Sequence, residues 1–117
     1  MECKYSTMKT EAQLLAFTRR LCDSLSILFV RLSSPARKGI PDCMLIDSRL
    51  IYFVELKSPA GTGRLSALQR RYIQRLRGYG AIVFVLHDPR DVETIIKLMR
   101  TDTEKAIEHY KQLETEL

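Results

Sequence analysis

The sequence predicts an α/β fold in which helices flank a mixed central sheet and further helices follow at the C-terminus. Three observations carry this prediction. Residues 10–25 space their apolar side chains three and four apart, as one face of a helix requires. Three β-rich runs follow, at 27–32, 42–46 and 50–57. Residues 66–77, again of helical pattern, then lead into the unbroken apolar run 81–86. A hairpin followed by a strand–helix–strand crossover places antiparallel and parallel neighbours in one sheet.

Each element has a local reason. The first helix carries the stripe Leu14, Leu15, Thr18, Leu21, Cys22 and Leu25, and Thr10 with Gln13 forms a capping box at its start. Ile-Leu-Phe-Val-Arg-Leu at 27–32 reads as the first strand. The polar segment 33–41 contains proline and glycine and reads as a loop carrying Arg37 and Lys38. Asp47-Ser48-Arg49 is a tight turn joining strands 42–46 and 50–57. Pro59, Gly61 and Gly63 make 58–64 a flexible loop. Ser66 with Gln69 gives a second capping box, opening a helix that Gly78 and Gly80 stop. The run 81–86 fits a strand buried on both faces, parallel to 50–57 through a right-handed crossover. Asp88-Pro89 starts a helix reaching about residue 99. The tail, 103–117, has helical composition and a narrow stripe of Ala106, Ile107, Tyr110, Leu113 and Leu117. The expected order is αβββαβα plus a tail helix, in a single domain with its core at about 10–92 and an extension at about 102–117.

Composition narrows the function. With 45% hydrophobic and 28% charged residues over 117 positions, the chain is an ordinary globule rather than a disordered one. No apolar run is long enough to span a membrane, and Met1-Glu2-Cys3-Lys4 does not begin a signal peptide. Cys3, Cys22 and Cys43 form no CxxC pair, which points to a reducing, cytosolic setting and away from structural zinc. His87 and His109 have no companion at metal-ligand spacing, and no phosphate-binding glycine loop is present. The net charge is +5, but residues 102–117 carry −3, which leaves +8 on the rest. A body this basic suits nucleic acid.

The chemistry concentrates at Gly39-Ile40-Pro41-Asp42 and Glu55-Leu56-Lys57. Strand alternation puts Ile51, Phe53, Glu55 and Lys57 on one face, with Glu55 and Lys57 roughly 6.5–7 Å apart. An antiparallel hairpin turning at 47–49 brings Asp42 to the Glu55 end. Two carboxylates this close repel unless a hard dication lies between them, and Mg²⁺ or Mn²⁺ suits their oxygens, with the Leu56 carbonyl as a further donor. Lys57 would then stabilise negative charge on a phosphate. The competing reading is a buried Glu55–Lys57 ion pair beside a turn aspartate. Glu11 extends the apolar stripe of its helix, so it is either a third acid of the site or a first-turn acid favoured by the helix dipole. Gln69 either caps its helix or orients Lys57 or a phosphate. Arg70, Arg71, Gln74, Arg75 and Arg77 make one side of the second helix basic. With Arg37, Lys38 and Arg64 they are candidates for holding a DNA backbone, or else a solvated surface.

Gly39-Ile40-Pro41-Asp42, Phe53-Val54-Glu55-Leu56-Lys57 and Leu65-Ser66-Ala67-Leu68-Gln69 together resemble the virus-type replication-repair nuclease domain, VRR-NUC, of the PD-(D/E)xK superfamily. The resemblance implies a restriction-endonuclease-like αβββαβ core and a metal-dependent phosphodiesterase. It assigns Asp42 and Glu55 as metal-binding acids, Lys57 as the catalytic lysine, Gln69 as the helix glutamine and Glu11 as the acid of the first helix. Stand-alone members, often viral, are similar to junction-resolving homodimers. This implies a Mg²⁺- or Mn²⁺-dependent endonuclease acting on four-way DNA junctions in the cytoplasm of a bacterial or virus-infected cell. A flap, nick or single-strand nuclease, or a non-catalytic DNA-binding module, is the alternative. The tail helix or the basic second helix offers a dimer interface.

Overall fold

The computed structural model of the chain describes residue 5 and residues 7–32, 39–48, 50–61 and 63–114. Eight elements follow one another: α1 (Glu11–Ser24), β1 (Leu28–Arg31), β2 (Cys43–Asp47), β3 (Leu50–Leu56), α2 (Ala67–Gly78), β4 (Val83–Leu86), α3 (Pro89–Thr101) and α4 (Thr103–Leu113). The strands lie in the order β1-β2-β3-β4. The first two pairings are antiparallel and the third is parallel. This is the mixed sheet expected from a hairpin followed by a crossover. Both expected capping boxes form, Thr10 with Gln13 and Ser66 with Gln69.

The sheet separates two apolar clusters, as strand alternation dictates. On one side Leu45, Tyr52, Val54, Leu56, Phe84 and Leu86 pack with Leu14 and Cys22 of α1, with Val92, Ile95 and Ile96 of α3, and with Ala106 and Tyr110 of α4. On the other side Val83 and Val85 pack with Leu65 and Ile73, and Phe53 and Leu76 lean on them. The fourth strand is shorter than the apolar run that contains it. Gly80, at φ 94°, and Ala81, whose N–H donates to the Leu76 carbonyl, still belong to the exit from α2.

Two expectations about the C-terminal half change. Arg77 does not join the basic face of α2, because its guanidinium binds the Val83 carbonyl at 2.7 Å, the Tyr110 hydroxyl at 3.2 Å and the Glu114 carboxylate at 2.6 Å. The tail stripe is likewise spent inside the chain, with Ala106 and Tyr110 buried and Ile107 and Leu113 packed beside them. It is therefore not free to form a dimer interface. Leu117, the last member of that stripe, lies outside the described residues. Together Arg77 and Tyr110 close the outer edge of β4, since the Val85 N–H donates to the Tyr110 hydroxyl at 3.0 Å. That hydroxyl in turn donates to Glu114 at 2.9 Å.

Removing the hydroxyl leaves the buried Val85 N–H without its acceptor. Tyr110→Phe is expected to lower unfolding free energy by about 1–3 kcal/mol in a denaturant titration. An unchanged midpoint would show that the edge does not need this closure.

Candidate active site

The site is built at the end of β2 and β3 that leads into loops. Register continues past the strand ends, so Cys43 opposite Val54 puts Asp42 opposite Glu55. The Asp42 N–H donates to Glu55 Oε1 at 3.2 Å, and the Leu56 N–H donates to Asp42 Oδ2 at 2.7 Å. Each acid is thus fixed by the other strand's backbone. Gly39 explains why the preceding segment begins with glycine. Its φ is 100°, and a Cβ there would stand 2.7 Å from the Leu68 carbonyl oxygen. Only a residue without a side chain lets this loop lie against the first turn of α2.

Glu55 and Lys57 are 2% and 7% exposed, so the structure takes two charges almost wholly out of water. They pair at 3.2 Å. Gln69 completes a triangle: Lys57 Nζ donates to Gln69 Oε1 at 3.0 Å, and Gln69 Nε2 donates to Glu55 Oε2 at 3.0 Å. The same Gln69 oxygen accepts the Ser66 N–H at 2.9 Å. Gln69 therefore holds both positions that its sequence left open, helix cap and site residue.

Burial raises the Glu55 pKa to about 8, and the neighbouring Asp42 carboxylate adds to that while Lys57 opposes it. One ammonium does not balance two carboxylates here. Asp42 has a second cation, Arg31, whose Nη1 lies 3.1 Å from Oδ1 and 2.9 Å from the Asp42 carbonyl oxygen. Sequence reasoning assigned no role to Arg31. The available signal was a cation at the end of a β-rich run, one strand away from Asp42, where cross-strand pairing favours an opposite charge.

A cavity of about 210 Å³ opens beside these groups, lined by Glu11, Ala12, Leu15, Arg31, Asp42 and Leu56. Glu11 is both a first-turn acid of α1 and part of this wall. It also approaches the lysine from the far side, because a Cβ on Gly63 would stand 3.3 Å from Glu11 Oε1 and 3.6 Å from Lys57 Cδ. Among the described residues no three acids, histidines or cysteines are already gathered as a metal centre. The donor set nevertheless fits a partly hydrated hard cation. Asp42 and Glu55 supply carboxylate oxygens, Leu56 lines the same cavity as Asp42, and the cavity has room for water. Mg²⁺ typically binds through one or two carboxylates and retains several waters.

Of the predicted DNA contacts, Arg64, Arg70, Arg71 and Arg75 are exposed. Arg37 and Lys38 lie outside the described residues, as does Cys3. Cys22 and Cys43 are buried free thiols, and burial pushes both pKa values up, that of Cys22 to about 12. Neither is a nucleophile at neutral pH.

The raised Glu55 pKa sets a pH dependence. A carboxyl whose folded pKa lies above its unfolded value near 4.5 favours folding at low pH and loses that contribution as pH rises through about 8. Cation-free protein is expected to lose thermal stability between those two values, to regain it at the upper one when Mg²⁺ or Mn²⁺ is added, and to lack this slope as Glu55→Gln. A melting temperature flat across that range in the wild type would contradict this.

Comparison with known proteins places the chain. No curated protein matches it. A solved structure described as a VRR_NUC domain aligns with a TM-score of 0.65 and 30% identity, covering 79% of this chain and 96% of that one. No helix among the described residues is long and apolar enough to cross a membrane. The model of the VRR-NUC domain matches residues 3–88, which span every side chain of the buried triangle together with Glu11, Arg31 and Asp42, and the chain belongs to the VRR-NUC nuclease family.

Proposed function

We propose that this chain is a Mg²⁺- or Mn²⁺-dependent DNA endonuclease selective for branched DNA, and that it works as a homodimeric resolvase of four-way junctions. The observation that carries the catalytic part is the buried triangle of Glu55, Lys57 and Gln69, set against Asp42. A lysine held in one position by two partners, beside two carboxylates that face each other across the hairpin, is arranged for phosphate chemistry rather than for stability alone.

Asp42 and Glu55, with the Leu56 carbonyl and Glu11 across the cavity, would hold the cation. Once bound, a dication polarises the phosphate and makes a nearby water more acidic. Lys57, its ammonium held against Glu55 and Gln69, would stabilise the charge that develops on the phosphate oxygens. Gln69 is a positioning residue, because it touches Lys57 and Glu55 while anchoring α2. Arg31 neutralises Asp42 and stands at the cavity wall, where it would meet the DNA backbone. Arg37, Lys38, Arg64, Arg70, Arg71 and Arg75 would supply contacts that position the duplex without reading its sequence. One site serves one strand, so symmetric cutting of a junction requires a second copy. Residues 1–117 act as one nuclease domain in this reading, in a reducing cytoplasm where Cys22 and Cys43 stay free thiols.

The experiment is cleavage of a labelled four-way junction, with duplex, flap and single-strand controls, in Mg²⁺, Mn²⁺ or chelator. Paired nicks confined to the junction are expected. Glu55→Gln and Lys57→Ala should each slow cleavage by about 10²–10³-fold or more while junction binding persists. Cutting of every substrate would retain the nuclease and discard the junction preference. Binding without cutting in any cation would leave a DNA-binding module.

A further inference from the structure

Four carboxylate oxygens of Asp42 and Glu55 stand at the loop end of the sheet, and their partners differ in kind. Glu55 Oε1 takes the Asp42 N–H, and Glu55 Oε2 takes Gln69 and Lys57, side chains locked in the triangle. Asp42 Oδ2 takes the Leu56 N–H at 2.7 Å. Among the described residues, Asp42 Oδ1 is held by Arg31 alone, at 3.1 Å. The Arg31 side chain is 41% exposed. An ion pair this open to water costs little to break. One of the four oxygens therefore has a partner that can leave, while the other three are fixed by the fold.

A single nitrogen makes the whole contact. Arg31 Nη1 reaches Asp42 Oδ1 and, at 2.9 Å, the Asp42 carbonyl oxygen, which also accepts the Leu32 N–H at 2.9 Å. Nε and Nη2 take no partner among the described residues. The edge of the guanidinium that matches two phosphate oxygens is thus open. Among the described residues Arg31 is also the one cation lining the 210 Å³ cavity, where it stands with Glu11 and Asp42.

We propose that Arg31 is an exchanging counter-ion: it occupies Asp42 Oδ1 while the site holds no dication, and when a dication binds its guanidinium passes to a phosphate of the DNA. The proposal rests on the metal-dependent nuclease reading and adds to it a coupling between cation and substrate. A guanidinium at Oδ1 neutralises the acid that a dication needs, and its charge repels that dication. Once Asp42 is neutralised by another cation, the same guanidinium is available to a phosphate at the cavity wall. Cation and DNA then favour one another, and by reciprocity each strengthens the other by the same factor. An arginine that served only to aim Asp42 would behave in the opposite way, since its loss would leave the acid less well held and weaken cation binding.

The test uses the full chain and Arg31→Gln, which keeps an amide donor toward Asp42 and removes the charge. Calorimetric titration with Mn²⁺, without DNA, is expected to show the variant binding on the order of 10-fold more tightly than wild type. Affinity for a labelled four-way junction is then followed against salt concentration. In chelator both proteins should share one slope of log affinity on log salt. In Ca²⁺, which takes the same oxygen ligands, the wild-type slope should be steeper by about 1, the mark of one phosphate contact. Arg31→Lys, which keeps the charge, should return both readouts toward wild type. Circular dichroism checks folding, and Arg31→Met, which keeps the aliphatic stem, takes the place of Arg31→Gln if that variant does not fold. Unchanged or weaker Mn²⁺ binding by the uncharged variant overturns the exchange, as does a slope difference already present in chelator. If wild type still cuts DNA in that case, the nuclease reading stands without the exchange. A wild type that binds no dication removes both.

Discussion

Everything at the loop end of the sheet depends on the need to bury Glu55 and Lys57 together. Two charges taken from water cost several kcal/mol each unless paired and hydrogen-bonded. That requirement fixes more than the pair. Gln69 bonds both only if α2 begins where it does, and its oxygen also receives the Ser66 N–H that starts the helix. Glu55 Oε1 takes the Asp42 N–H, which locks the hairpin register at its open end. Helix start, strand register and site geometry are three expressions of one electrostatic constraint.

The two faces of the sheet divide the work. One is filled by α1, α3 and α4 around Tyr52, Phe84 and Tyr110, whose rings meet edge to face at 5.8 and 5.0 Å. Among the described residues the other carries charges, one helix and apolar positions such as Leu28 and Ile51 that stay exposed. A stability core on one side leaves the second side free to hold groups that cost stability, consistent with a site arranged for chemistry. Among the described residues the Tyr52 hydroxyl is the exception on the filled side, buried with no hydrogen-bond partner there.

Most of the fold was readable because local signals agreed. The two capping boxes, the turn at 47–49 and the strand runs each specified one element, and all eight appear. The acids and the lysine were readable too, since alternation along β3 and the hairpin register depend only on spacing. What the sequence left undecided was any choice made by distant parts. Arg77 sits among other arginines at helical spacing, and nothing nearby reveals that Glu114 and Tyr110 will claim it. The tail stripe, too narrow for a core helix by pattern, is buried because α3 and the β4 edge meet it. Gln69 was undecided between two roles because the triangle that unites them spans 14 residues. Arg31 went unassigned for the same reason, its partner lying 11 residues away across a strand pair.

The closure of the β4 edge by Arg77 and Tyr110 has a consequence for assembly. A sheet that grows by strand addition must offer two free borders, one to receive a neighbour and one to pass the pairing on. Here one border is sealed by side chains of the same chain. Any strand pairing at β1 would therefore end with the molecule it recruited, and the fold resists the open-ended stacking that leads to fibres.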